Sequence, residues 1–294
     1  MPDDLSYELV LAEENVYRFG MGTEVLVLDL EVGQADIVSN DASLPMQDGL
    51  RFGRDYRAGR VITFEMIVMS GTGVEALDEL ARLETAWLAD EVRATPGRVA
   101  MLRLTRGGRT RRVYGRPRRF AMASERDRYG WISATADFQC SDHLFYSDDE
   151  LVVGVRMYTP AVGGLTGPLI GPIYADDFTE GIIDFFLGGT VPSWPVITIQ
   201  GPIKDPTIEL TGYWKATLQT SLASDQSVTI DTTPWNRAVR RNDGTNLAGR
   251  FTADSQRLSH MRVPPGRRQF LLRGYDPSNT ARAYIHIREA FSSY

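Results

Sequence analysis

Residues 227–246, SVTIDTTPWNRAVRRNDGTN, constrain the fold more than any other stretch of this chain. Val228 and Ile230 alternate with Thr229, the pattern of a half-buried strand. Asp231, Pro234 and Asn236 end it, because they favour turns and Pro has no N–H to give a ladder. A second short strand follows. Asn242-Asp243-Gly244 then supplies residues that tolerate positive φ, as a tight hairpin requires. The same punctuation recurs through the second half. Strands are predicted at 151–158, 196–200, 207–210, 214–220, 228–231, 269–273 and 282–288, with turn signals between them. In the last, Ala283, Ile285 and Ile287 face one way and Arg282, Tyr284, His286 and Arg288 the other. Residues 162–172, rich in Gly and Pro, read as a long loop. The pattern predicts a β-sandwich that holds shape and presents surfaces.

The first half reads as one α+β domain. Residues 23–30 are an apolar, β-rich run. Residues 61–68 place Ile62, Phe64, Met66 and Val68 on one strand face. Gly71-Thr72-Gly73 breaks that strand. A helix is predicted over 74–92, with Leu77, Leu80, Ala81, Glu84, Trp87 and Leu88 at three- and four-residue spacing. Pro96-Gly97 stops it. Residues 99–105 and 110–114 form a predicted hairpin about Gly107-Gly108, and 131–139 is a further alternating strand. The acidic seam 147–150 marks a boundary between domains 1–148 and 149–294. The expected class is mainly β with one helix.

Composition narrows the function classes. The net charge of −6 argues against a chain that binds nucleic acid along its whole surface. No apolar run approaches the roughly 20 residues of a membrane span. The N-terminus lacks the basic, apolar and small-residue order of a signal peptide, so folding in a cytoplasm is expected. A single cysteine, Cys140, forbids an intrachain disulfide.

The candidate chemistry is sparse. Asp231-Thr232-Thr233 follows an apolar strand, as the Asp-Thr-Gly of an aspartic protease does, but the Gly is missing and Pro234 follows. A strand-ending turn accounts for it. Cys140 and His143 stand at C-x₂-H spacing, without the further ligands a structural zinc needs. Gly20-Met21-Gly22 lacks a third Gly and a following helix, and no phosphate-cradling P-loop string occurs. Asp148-Asp149-Glu150 and Asp176-Asp177 read as solvated acids, because neither has alternating ligand spacing. No Gly-x-Ser-x-Gly elbow exposes a nucleophile. Catalytic, cofactor and metal residues are therefore expected to be absent.

Two features suggest binding. Between Arg103 and Arg128 stand ten arginines, with only Glu125 and Asp127 against them. They could track phosphates, but the interleaved aromatics (Tyr114, Phe120 and Tyr129) make no stacking platform. Pairing with acids of a neighbouring subunit is the stronger reading, with Arg111, Arg112, Arg116, Arg118 and Arg119 as candidate inter-subunit contacts. Trp194 and Trp235 are candidate sugar-facing aromatics for a carbohydrate-binding alternative. Trp214 opens a strand and reads as core.

Several segments in order resemble the distal tail protein family of long-tailed phages, especially minor tail proteins of phages that infect actinobacteria. They are GLRFGRDYRAGRVITFEM (49–66), AWLADEVRATPGRVAMLRL (86–104), VYGRPRRF (113–120), ADFQCSDHLFYSDD (136–149), PVITIQGPIKDPTIEL (195–210), VTIDTTPWNRAVRRNDGTN (228–246), LSHMRVPPGRRQFLLRGYD (258–276) and YIHIREAFSSY (284–294). The chain departs from the family in carrying Arg267-Arg268 after Pro265-Gly266, and Ile287 before Arg288. The resemblance implies a split β-barrel with a helix, related to tail-tube proteins, followed by a galectin-like β-sandwich. It implies a homohexameric ring at the distal end of a virion tail, made in the host cytoplasm. Its partners would be the tail tube, the tape measure and tail-tip proteins, and possibly a host-surface glycan. DNA would be cargo passing through the lumen. No cofactor, membrane insertion or enzymatic activity is implied.

Overall fold

The computed structural model describes residues 5–12, 14–123, 131–158 and 181–294. The predicted loop at 162–172, Asp176-Asp177 and residues 125–129 lie outside the described residues. The chain forms two compact units. One takes the residues up to Asp148 together with Phe291–Tyr294, and the other is Asp149–Ala290.

In the first unit the strands stand in the order Asn15–Gly20, Ser6–Ala12, Ala100–Arg106, Arg109–Ala123, Trp131–Cys140, Val61–Met69, Val25–Val32. Each pair along this path is antiparallel. Adjacent strands lie about 4.8 Å apart, so Ser6–Ala12 and Val61–Met69 would stand roughly 19 Å apart in a flat sheet. Yet the rings of Tyr7 and Phe64 meet at 5.4 Å, and those of Phe19 and Phe64 at 5.2 Å. The sheet is therefore strongly curled, with these rings in its concavity. Val61–Met69 buries Ile62, Phe64, Met66 and Val68, as its alternation predicts. At the hairpin, Gly107 (φ 56°) and Gly108 (φ 72°) both take the positive φ that a two-residue primed turn requires.

The helix runs Gly73–Leu88. Thr72 Oγ1 accepts from the Glu75 N–H at 3.3 Å, and Glu75 Oε2 accepts from the Thr72 N–H at 3.2 Å. This reciprocal cap satisfies two donors that would otherwise be orphaned. The predicted single helix over 74–92 is corrected: Ala89, at φ 48°, is left-handed, and a short helix Asp90–Arg93 follows. A non-glycine residue there costs about 1 kcal/mol. Burial of Ala89 and Val92 offsets it.

The inward face is also corrected. Ala76, Leu80, Leu83, Ala86 and Trp87 are buried, whereas Leu77, Ala81, Glu84 and Leu88 face outward. The helix is apolar on two sides, and the aromatic cluster selects one. Trp87 packs edge-on against Phe19 and Phe64 at 6.1 and 5.9 Å, and its Nε1 donates to the Asp137 carbonyl at 3.1 Å.

Between Val25–Val32 and Val61–Met69 the chain makes an arm. Ile37–Val38 pairs with Tyr56–Arg57, and Ala42–Ser43 with Leu50–Arg51, both antiparallel. Gly53 lies so close to Asn40 that a Cβ would stand 2.0 Å from its carbonyl oxygen.

In the second unit the order is Trp214–Thr217, Ile203–Leu210, Gly266–Tyr275, Leu151–Tyr158, Arg282–Ile287, Val196–Gln200, Ser227–Asp231, Ala238–Arg241. Leu151–Tyr158 joins the two halves. It pairs antiparallel with Arg282–Ile287 and then, at Met157 and Tyr158, parallel with Gly266–Tyr275. Ile197, Ile199, Val228, Ile230 and Ile285 from one half share a core with Ile208, Leu210, Phe270 and Leu272 from the other. Ala283, Ile285 and Ile287 point inward, as their alternation predicts. Trp214 is buried against Phe270, and its Nε1 donates to the Arg262 carbonyl at 2.8 Å. In the 242–244 turn, Gly244 takes φ 86°.

Because Trp87 fastens the helix to the curl, Trp87→Ala is expected to lower unfolding free energy by about 3–5 kcal/mol. Urea denaturation followed by circular dichroism measures it, and a loss under about 1 kcal/mol would contradict the anchoring role.

Candidate functional site

The arginines of the Ala100–Arg106 and Arg109–Ala123 hairpin do different jobs. Register sets Glu8 opposite both Arg18 and Arg103, and Arg103 opposite Arg112. The carboxylates alternate with the cations. Glu8 meets Arg18 at 2.9 Å and Arg103 at 2.7 Å, and Asp148 meets Arg103 at 2.9 Å and Arg112 at 2.6 Å. Two arginines directly across a ladder would repel, and Asp148 sits between them to cancel it. The acids that answer this arginine run are thus remote in sequence.

Arg111 lies over the Phe291 ring at 3.5 Å. Arg116 donates from Nε to the Arg98 carbonyl at 2.8 Å and from Nη2 to the Thr95 carbonyl at 2.7 Å. Of the candidate inter-subunit contacts, Arg111, Arg112 and Arg116 are therefore engaged within their own chain. Arg118 and Arg119 differ. The register slips between Pro117 and Phe120, so both arginines oppose the single residue Asp137. Such a bulge re-aims side chains. Both are exposed, and among the described residues neither makes an ion pair. Arg93 Nη2 holds the bulge by donating to the Pro117 carbonyl at 2.9 Å and the Arg118 carbonyl at 3.2 Å.

Trp194 is only 5% exposed, and Arg262 covers its ring at 4.0 Å. It offers no open face to a sugar, which corrects that assignment. Trp235 is half-buried. Asp231 Oδ1 accepts from the Thr233 N–H and hydroxyl at 2.9 and 2.6 Å, and Oδ2 accepts from Asn236 at 2.8 Å. That is a strand-ending turn. Cys140 is buried, and burial, aided by Asp142, pushes its thiol up to about 12, so it stays protonated. Among the described residues no group of three or more His, Cys, Asp or Glu could hold a metal. No helix among them is long and apolar enough to cross a membrane.

Two apolar surfaces escaped the sequence reading. The arm exposes Ile37, Val38, Leu50, Phe52 and Tyr56. The helix exposes Val74, Leu77, Ala81 and Leu88, which fall within about 60° of one another around its axis. Between helix and edge strand opens a groove of about 370 Å³, lined by Leu11, Val16, Ala81 and Ala86 together with the polar Tyr17 and Arg82. The spacing 74, 77, 81, 88 was a readable signal for the stripe. The arm carried none, because its strands are two residues long.

Burial would raise the Asp148 pKa, but the hydrogen bonds and charge of Arg112 and Arg103 outweigh it and hold the carboxyl below its ordinary 3.8. A depressed folded pKa stabilises fully above the unfolded value and is lost as pH falls through the folded one. Asp148→Asn should cost about 1 kcal/mol near neutral pH, discounted for partial exposure, and should remove part of the stability loss below about pH 4. Urea denaturation across that range checks it, and an unchanged acid limb would count against the bridge.

No protein-family model matches the chain, and no curated protein matches it. Solved structures do. The SPP1 Dit protein, described as a paradigm of the hub adsorption apparatus in phages infecting Gram-positive hosts, is 12% identical with a TM-score of 0.58. That match covers 97% of this chain and 99% of that one. A chain of the phage P2 baseplate in its activated conformation with calcium is 10% identical with a TM-score of 0.57, covering 96% of this chain and 97% of that one. The strontium form gives 11% and 0.55, with coverage of 96% and 97%. The mainly β chain described above therefore has a Dit-like fold.

Proposed function

We propose that this protein is a structural component of a phage tail. It acts as a hub at the distal end, assembled as a homohexameric ring that joins the tail tube and tape measure to tail-tip proteins. It carries out no chemistry, and DNA passes through its lumen as cargo. The observation that carries this reading is the likeness to the SPP1 Dit protein over 97% of this chain and 99% of that one. A shared domain alone would not span both.

The first sheet adds support. Among the described residues, Asn15–Gly20 pairs only with Ser6–Ala12, and Val25–Val32 only with Val61–Met69. Exposed strand edges are templates for pairing with another chain. Two different edges on one unit suit a heterologous, head-to-tail contact, which closes into a ring. Leu28 stands 64% exposed in the middle of one edge. Arg118 and Arg119 add cations that make no ion pair among the described residues, and a neighbour's acids would fix the register. A lumen that lets DNA slide needs a neutral or acidic wall, in keeping with the net charge of −6.

Electron microscopy of the purified protein should show sixfold rings, and persistent single copies at high concentration would refute the hub. Arg118→Glu with Arg119→Glu should dissolve the rings while circular dichroism stays unchanged. Intact rings in that variant would remove these two arginines from the interface.

A further inference from the structure

We infer that Asp48-Gly49, at the tip of the arm, is a site of spontaneous isoaspartate formation, and that Asp243-Gly244 in the second unit is protected from the same reaction.

Asp-Gly occurs at these two places in the chain and nowhere else. The dipeptide is open to the reaction because Gly has no Cβ to shield its nitrogen or to restrict its backbone. At the arm's tip the Gly49 nitrogen attacks the Asp48 Cγ. The amide proton and the carboxyl hydroxyl leave together as water, and a cyclic imide closes. Water then adds back. Opening the bond to Cγ restores aspartate. Opening the bond to the backbone carbonyl carbon leaves the chain running through Cγ, with a free α-carboxylate beside it. The mass is unchanged, and no oxidant or cofactor is consumed.

The tip leaves both reacting groups free. Residues 44–49 are all exposed. Its backbone bonds are long: the Leu44 N–H donates to the Gly49 carbonyl at 3.4 Å, and the Gln47 N–H to the Leu44 carbonyl at 3.5 Å. Bonds of that length hold a turn weakly. Among the described residues, the Asp48 carboxylate has no hydrogen-bond or ion-pair partner, and the Gly49 N–H donates to nothing.

The second Asp-Gly is held at both ends of the reaction. Asp243 Oδ2 accepts from Arg241 Nε and Nη2 at 3.0 and 2.5 Å, and Oδ1 accepts from the Thr245 N–H at 2.9 Å. The Gly244 N–H donates to the Arg241 carbonyl at 2.8 Å. The hydrogen bonds from Arg241 also hold the Asp243 carboxyl well below the usual carboxylate range. It therefore stays ionised, and an ionised carboxylate is a poor electrophile. One dipeptide thus has two fates, decided by the turn around it.

The product changes the arm. A hairpin's register is fixed by the length and type of its loop. Isoaspartate lengthens the backbone of the tip by one carbon. The ladder that the tip closes is only Ala42–Ser43 against Leu50–Arg51, and so short a ribbon has little to resist the change.

The test ages purified full-length protein for weeks at neutral pH and body temperature. Isoaspartyl methyltransferase with a labelled methyl donor then esterifies the free α-carboxylate of isoaspartate, and peptide mapping locates the label. Label should rise with time on the fragment holding residue 48 and stay absent from the one holding residue 243. Asp48→Glu should abolish it, because glutamate closes the larger imide ring far more slowly. Arg241→Ala should bring label to residue 243. No label at residue 48 in the folded protein would overturn the inference, and label there only after unfolding in urea would show that the tip protects Asp48 as well. Equal label at both sites in the wild-type protein would overturn the protection assigned to the Arg241 turn.

Discussion

The first unit depends on one contact set: Trp87 wedged edge-on against Phe19 and Phe64. Those two phenylalanines come from strands far apart in the sheet order. Bringing their rings to 5.2 Å bends the sheet, and the indole locks the bend. Large aromatic area is the strongest apolar contribution a small core has. The hydrogen bond from the indole Nε1 to the Asp137 carbonyl fixes the rotation of the helix as well as its position. Which side of the helix faces outward follows from that orientation.

Surface charge is then organised by the strands. The ladder Arg18, Glu8, Arg103, Asp148, Arg112 runs across neighbouring strands, with each acid between two arginines. It uses cations internally that would otherwise sit on the surface. The bulge at Pro117 has the opposite effect. It breaks the ladder and turns Arg118 and Arg119 outward, where a partner can meet them. A run of arginines with one composition thus separates into structural and available groups. The separation depends on register, which links residues many positions apart.

The second unit is organised by Leu151–Tyr158, which pairs with one strand along most of its length and with another at its end. Inward-facing residues of both halves then share one core. Trp194 lies under Arg262, and Asp231 is engaged in its own turn. Among the described residues, the first unit leaves open edges, an arm and a helix stripe. These are the features that the proposed hub would use.

Local chemistry alone determined a good deal. Alternation placed Ile62, Phe64, Met66 and Val68, and likewise Ala283, Ile285 and Ile287, on the buried sides of their strands, because a strand's period of two needs no distant partner to be read. Paired glycines announced the 107–108 turn, since few other residues adopt its positive φ. The Thr72–Glu75 cap and the class, mainly β with a helix, come from neighbours in sequence. Tertiary structure decided the rest. A helix apolar on two sides does not say which side is buried; Trp87 does, by fitting rings brought in from two remote strands. An arginine's sequence neighbours do not show whether it is satisfied, because Glu8 and Asp148 reach Arg103 only once the strands are paired. Edges exist only in a finished sheet, and the surfaces that would build an assembly are those the fold left uncovered.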